Sequence, residues 1–333
     1  MTRTCGWSLL LAAMAACGSG GGGGGSGGAG IAAAQAIGAS MEAAATVKAP
    51  WRCALPRSGS SGSSGATAAP AGWKRDADKL VADPARAKLT IGAVAQARGR
   101  AVDVRAKLRA ANVDVVVAVG GMGTDAAESR AALTALLDPT WLVVALPGDT
   151  EQWPEHAAAI ADLAAGGGAI VDGASVRIVD AGAAVLGTLP GEAFASRLGA
   201  GADGCVHDAA DLGAALTAIA DAASDRPRVL VTTPAPQGAA PGASDLTPGG
   251  LHGGDAALAT AIAAAQIDLV LHAPVDGSPP APGNVRTGTP VTLAAGSLDP
   301  IARRDADGRT LATGIVLATV DARGISWSFV PAP

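Results

Sequence analysis

The sequence predicts an α/β sandwich, and three observations predict it. Short, unbroken apolar runs, Leu89–Ala95, Val113–Val119 and Trp141–Leu146, alternate with stretches of helical character. Such runs mark strands covered on both faces, the habit of parallel sheets lying under helices. Toward the end, Thr313–Asp321 and Gly324–Val330 flank Asp321-Ala322-Arg323-Gly324 and read as a closing hairpin. Hydrophobic residues make up 49% of the 333, yet there is no tyrosine and only two phenylalanines, so Val, Leu, Ile and Ala must build the core.

In chain order, Leu89–Ala95 is the first strand and Ala101–Ala111 a helical stretch. Val113–Val119 is the second strand, Asp125–Leu137 a helix and Trp141–Leu146 the third strand. Ala169–Val179 and Ala183–Leu189 read as shorter strands of an antiparallel part. Ala209–Ala223 is a helix, Arg228–Thr232 a strand, Ala256–Ala265 a helix and Asp268–His272 a strand. Pro290–Ala295 opens the terminal β meander. No internal repeat is evident, and residues 87–333 fit one domain.

The amino terminus reads as an address. Arg3 precedes the apolar stretch Trp7–Ala16, which is too short to span a bilayer as a helix. Met14-Ala15-Ala16-Cys17-Gly18 resembles a bacterial lipoprotein cleavage box, which implies a signal peptide over residues 1–16 and a lipid on Cys17. Several acyl chains at about 0.8 kcal/mol per buried methylene hold a protein on a membrane. The implied location is the cell envelope, on the periplasmic or surface side of a membrane, the outer membrane foremost. Residues 17–86 are rich in Gly, Ala, Ser and Pro and read as a flexible tether with an r.m.s. span of roughly 45 Å. Trp51, Cys53 and Trp73 are the residues able to dock part of it. Cys5 leaves with the signal; Cys53 and Cys205 remain, and an oxidising compartment allows but does not require their pairing. The net charge of −5 argues against nucleic acid as a partner.

Function is sought in the turns after the strands. These are Gln96-Ala97-Arg98-Gly99, Gly121-Met122-Gly123-Thr124-Asp125, Pro147-Gly148-Asp149-Thr150-Glu151, Thr232-Thr233-Pro234-Ala235-Pro236 and Ala273-Pro274-Val275-Asp276-Gly277. Their order and framing resemble the five metal-site motifs of the calcineurin-like metallophosphoesterases, and Gly296-Ser297-Leu298 resembles the Gly-Ser turn that follows them. The resemblance covers roughly Lys88–Pro333. It implies a four-layer αββα sandwich with mixed sheets and a centre of two dications about 4 Å apart bridged by a carboxylate. It also exposes what is missing. Gln96 and Arg98 stand where the family has Asp and His, and Met122 stands at the bridging Asp, while Asp125 keeps its place. Asp149 replaces Asn, Thr150 and Thr233 replace His, and Pro274 and Asp276 replace the last two His. Two divalent charges at that distance repel by on the order of 16 kcal/mol at an effective dielectric near 20, and a thioether does not offset that for hard cations.

The expectation is therefore a lipid-anchored pseudoenzyme that binds or scaffolds. It carries no cofactor, and its partner is an envelope protein or a small anion. The alternative is a metal-dependent phosphoesterase with rearranged ligands or a single metal, such as manganese or iron, Asp149 and Asp276 being the positions able to bind a cation. Arg98 is expected to pair with Asp149, Asp125 or Asp276, or else to hold an anion. Gly121-x-Gly123-x-x-Ala126 also fits a dinucleotide fingerprint, but it follows the second strand rather than the first. No nucleophile-elbow sequence supports Ser/His/Asp catalysis. His156, His207, His252 and His272 fall on no ligand position and read as exposed or strand-end residues.

Overall fold

A computed structural model describes residues 49–53, 69–76, 78–238, 243–247, 251–275, 290–299, 303–304 and 310–332. The expected signal peptide, Cys17 with its lipid, and Asp276 lie outside the described residues.

The strands in chain order are β1 (Trp51–Arg52), β2 (Trp73–Asp76), β3 (Lys79–Ala82), β4 (Leu89–Ala95), β5 (Val115–Val119), β6 (Leu142–Leu146), β7 (Ile170–Asp172), β8 (Ile178–Asp180) and β9 (Val185–Leu189). They continue with β10 (Cys205–Val206), β11 (Arg228–Thr232), β12 (Leu269–His272), β13 (Val291–Ala294), β14 (Gly296–Ser297), β15 (Arg303–Arg304), β16 (Thr310–Leu311), β17 (Gly314–Asp321) and β18 (Gly324–Pro331). The helices are α1 (Arg105–Ala110), α2 (Ala126–Thr134), α3 (Trp153–Ala165), α4 (Ala209–Ala223) and α5 (Ala256–Ala264).

Among the described residues these strands build two seven-stranded mixed sheets and two small ribbons. In the first sheet β4, β5, β6 and β7 run parallel, β17 and β18 close the far edge antiparallel, and β14 pairs with the end of β4. In the second, β9, β11, β12 and β13 run parallel, and β8, β3 and β2 extend the other side. Side chains on a strand alternate faces with period two, and the burial follows that rule. Leu89, Ile91, Val115, Val117, Leu142 and Val144 meet Val229, Val231, Leu269 and Leu271 in one core between the sheets. The alternate residues Val94, Val116, Ala118 and Val143 pack outward with Leu108, Leu133 and Ile160 of α1, α2 and α3. Val185, Leu230 and Val270 pack outward under Leu216 and Ile219 of α4 and Leu258 and Ile262 of α5. The layers are thus helix, sheet, sheet, helix.

Four sequence expectations change. The tether does not run to residue 86: β2 and β3 are strands of the second sheet, with Trp73 and Leu80 buried in the inter-sheet core. Polar, exposed Lys74, Arg75 and Asp76 disguise β2 as linker, because an edge strand wets one side. The expected strand Ala169–Val179 is two: β7 lies parallel on β6 in one sheet, β8 lies in the other, and the chain crosses between them. The Gly296-Ser297 turn is the strand β14. The sequence expectations include no helix at α3; it starts with Pro154 in its first turn, where a missing N–H costs nothing.

Cys53 and Cys205 form a disulfide with Cα atoms 5.6 Å apart, and β1 lies parallel on β10 beside it. The Trp51 and Trp153 rings meet edge to face at 5.5 Å. Among the described residues no helix is long and apolar enough to cross a membrane.

Candidate functional site

The carboxyl ends of β4, β5, β6, β9, β11 and β12 converge on one cleft of about 340 Å³. In the first sheet β4, β5 and β6 are neighbours; in the second, β12, β11 and β9 are neighbours. The cleft therefore spans three strands on each side, roughly 10 Å at strand spacing.

Contacts between facing turns set its shape. At one end the Gln96 Nε2 donates to the Pro274 carbonyl at 3.3 Å. In the middle the buried Thr233 hydroxyl donates to the Pro147 carbonyl at 2.9 Å, tying the two sheets. Gly120 and Gly121 both sit at φ +70°, and a Cβ on Gly120 would lie 2.8 Å from the Gly148 Cα. These positions need glycine, for backbone angle and for space. Beneath the turns Glu151 is fully buried and accepts the Met122 N–H at 2.6 Å and the Gly148 N–H at 2.9 Å. Burial pushes its carboxyl up to about 7 against the pull of those two N–H groups.

Of the residues singled out from the sequence, Gln96, Asp149, Thr233 and Pro274 line the cleft. Met122, Asp125, Thr150 and Arg98 do not. Met122 is fully buried in the core between the first sheet and its helices, so no thioether faces the bridging position. Asp125 is the N-cap of α2 and accepts the Glu128 N–H. Thr150 is exposed, with its methyl against Gly199. Arg98 pairs with Asp299, its Nε 2.9 Å from Oδ2, rather than with Asp125 or Asp149, while the third expected partner, Asp276, lies outside the described residues. Its backbone explains the aim. The φ of +49° and the Arg98 N–H bond to the Gly121 carbonyl turn the side chain toward the segment that follows β14, where Asp299 is buried. The guanidinium is thereby withdrawn from holding an anion in the cleft.

The dinucleotide reading also changes meaning. A Cβ on Gly123 would lie 2.6 Å from Glu128 Cβ, so this glycine lets α2 approach the strand. The first turn of α2 is closed by its own side chains, since Glu128 accepts the Thr124 N–H at 2.8 Å.

Three histidines are not exposed: His156, His207 and His272 are buried, and His252 is half-buried against Asp245. His272 Nδ1 lies 2.7 Å from the Ala273 carbonyl and Nε2 lies 2.8 Å from the Ser244 hydroxyl. That pattern fits a neutral ring donating from Nδ1, and burial pushes its pKa down to about 4.

Two charged lining residues escape the sequence reading, Glu192 and Arg197. A signal for the first is present. Leu146-Pro147-Gly148-Asp149 and Leu189-Pro190-Gly191-Glu192 are the same phrase, strand end, Pro, Gly, acid, on β6 and β9. The Glu192 backbone is clipped to β10, donating to the Cys205 carbonyl at 2.9 Å and accepting the His207 N–H at 3.0 Å. Its side chain is buried, and burial first, then the nearby Asp149 charge, pushes it up to about 7. Arg197 lies on the rim, where Nη1 donates to the Gly253 carbonyl at 2.8 Å.

The described residues of the cleft offer no matched ligand set for a pair of dications. Gln96 and Glu192 stand at opposite ends of the cleft, Thr233 has committed its hydroxyl to Pro147, and Met122 faces the core. Among the described residues no three His, Cys, Asp or Glu side chains group to hold a metal.

No family model matches the chain, and no curated protein matches its sequence. Solved structures are similar to it in their chain path. One is 12% identical with a TM-score of 0.52 over 74% of this chain and 100% of that one. The protein TT1561 of Thermus thermophilus is 14% identical with a TM-score of 0.46, over 72% of this chain and 98% of its own. GAP50, the anchor in the inner membrane complex of Plasmodium, is 10% identical with a TM-score of 0.45, over 74% and 85%. At such identities the likeness concerns the fold alone.

Proposed function

We propose that the chain is a lipid-anchored binding module of the cell envelope, built on a calcineurin-like phosphoesterase fold whose two-metal chemistry has been lost. The observation that carries this reading is the cleft. Six strand-end turns meet there, and among the described residues the side chains offered are an amide, an engaged hydroxyl, a proline, an arginine on the rim and two carboxylates on one side. Hydrolysis through two metals needs a bridging carboxylate between them, and the residue at that position packs into the core. The order of the turns and the helix–sheet–sheet–helix layering support the ancestry. Anchorage through Cys17 rests on the cleavage-box sequence.

The test is metal content of the purified full chain, followed by its activity on bis(p-nitrophenyl) phosphate with added manganese. The expected result is no turnover above buffer. Turnover that the Asp149→Ala variant abolishes would instead establish a hydrolase with a rearranged or single-metal site. Anchorage is read separately: Cys17→Ser should yield a chain without lipid mass that leaves the membrane fraction.

A further inference from the structure

The Glu192 carboxylate makes no hydrogen bond or ion pair among the described residues, although only 8% of the residue is exposed and it lines the cleft. Burying an unpaired acid is costly, and a protein that keeps one in a cleft marks a binding site. At the other end of the same cleft the Gln96 Oε1 is buried and has no donor either. Between these two unmet acceptors the lining is mixed, with Pro234, Ala235 and Ala273 supplying apolar surface beside the Gly120-Gly121 backbone. Asp149 adds a second negative charge at the Glu192 end.

We propose that the cleft binds an elongated organic cation of the diamine and polyamine class, with one ammonium against Glu192 and Asp149, its methylenes along Pro234, Ala235 and Ala273, and a second N–H group donating to Gln96 Oε1. This rests on the reading of the domain as a binding module and names what that module holds. A lone metal ion does not match, because acceptors roughly 10 Å apart cannot surround one ion. The volume of about 340 Å³ is that of a small organic ligand. An anion does not match either, because Arg98 is held by Asp299 and the lining arginine, Arg197, already spends one N–H on Gly253.

Binding should depend on pH. The groups bearing on Glu192 are Asp149 and Asp255, which raise it beyond the effect of burial, and Arg197, which lowers it; His207 meets its backbone. With Glu192 near 7 and amines protonated to about 10, ammonium binding should weaken roughly tenfold from pH 8 to pH 6.

The test is calorimetric titration of the full-length chain with spermidine, putrescine and inorganic phosphate at low ionic strength. Spermidine should saturate one site at pH 8. Glu192→Gln should weaken it by about tenfold or more, and Arg197→Ala, which removes a repelling charge, should tighten it about threefold. Arg98→Ala should change nothing. Gln96→Leu should weaken spermidine but not the shorter putrescine, a length dependence that a misfolded variant would not reproduce. Absence of saturable spermidine binding, indifference to Glu192→Gln, or preference for phosphate would overturn the assignment while leaving the non-catalytic reading intact. Metal-dependent ester hydrolysis would overturn that reading without bearing on the titration.

Discussion

Replacing Cys53 and Cys205 by alanine should cost the domain a large part of its stability. The disulfide closes a loop of 152 residues. In the chain-entropy account such a loop removes roughly 17 cal/mol/K from the unfolded ensemble, about 5 kcal/mol at 25 °C. Measured losses for native bridges fall between about 2 and 5 kcal/mol, and the lower part of that range is the safer expectation. Both sulfurs are buried against Trp153, so alanine leaves a small void but no stranded polar group. Urea unfolding followed by tryptophan fluorescence reads the effect, since Trp73, Trp141 and Trp153 are buried. Three results should appear together. The midpoint falls, the m-value rises because the uncrosslinked chain exposes more surface, and the double variant matches either single one, because both remove the same bond. Reduction of the wild type should reproduce the variant. Unchanged midpoints in both single variants would refute the argument and detach the 49–53 segment from the account.

Other expectations follow from single contacts. His156 is fully buried with both ring nitrogens unpartnered, and burial pushes it down to about 4. The unfolded state therefore binds its proton first as pH falls, and this group's contribution, complete above about 6.5, is lost from there toward 4. His156→Met should remove about 1.4 kcal/mol per pH unit from the slope of stability against pH in that window, read by urea unfolding at stepped pH. Glu151 has the opposite sign: held near 7 when folded against 4.5 unfolded, it stabilises below 4.5 and loses that contribution as pH rises through 7. Glu151→Gln should cancel this and cost about 1–3 kcal/mol, because an amide cannot accept both the Met122 and Gly148 N–H groups as the carboxylate does. Thr233→Val should cost about 1 kcal/mol by breaking the tie to Pro147, seen as a drop in Tm. Gly120→Ala, strained at φ +70° and 2.8 Å from Gly148, should lower Tm further than Thr233→Val does.

Much of the scaffold is legible because its strands are buried on both faces. Leu89–Ala95, Val115–Val119 and Leu142–Leu146 are unbroken apolar runs, and the Asp208 capping box announces α4. Periodicity fails where burial is one-sided or the element short. β2 shows only Trp73 to the core, and α3 is so alanine-rich that its face is faint. The site is half legible. Strand order brings Gln96, Asp149, Thr233 and Pro274 to one cleft. The direction of a side chain, by contrast, depends on local backbone. The positive φ of Arg98 sends it to Asp299, and the turn at Met122 sends that side chain into the core. Glu192 is easily missed because no family motif frames it; only its likeness to the Asp149 phrase on β6 marks the copy on β9.

Titration of the full-length chain with manganese, followed by electron paramagnetic resonance, tests the central claim most directly. With Met122 turned inward and acceptors at opposite ends of the cleft, the spectrum should show only isolated ions up to millimolar metal. An exchange-coupled spectrum from two manganese ions on one chain, lost in Asp149→Ala and accompanied by ester hydrolysis, would contradict it.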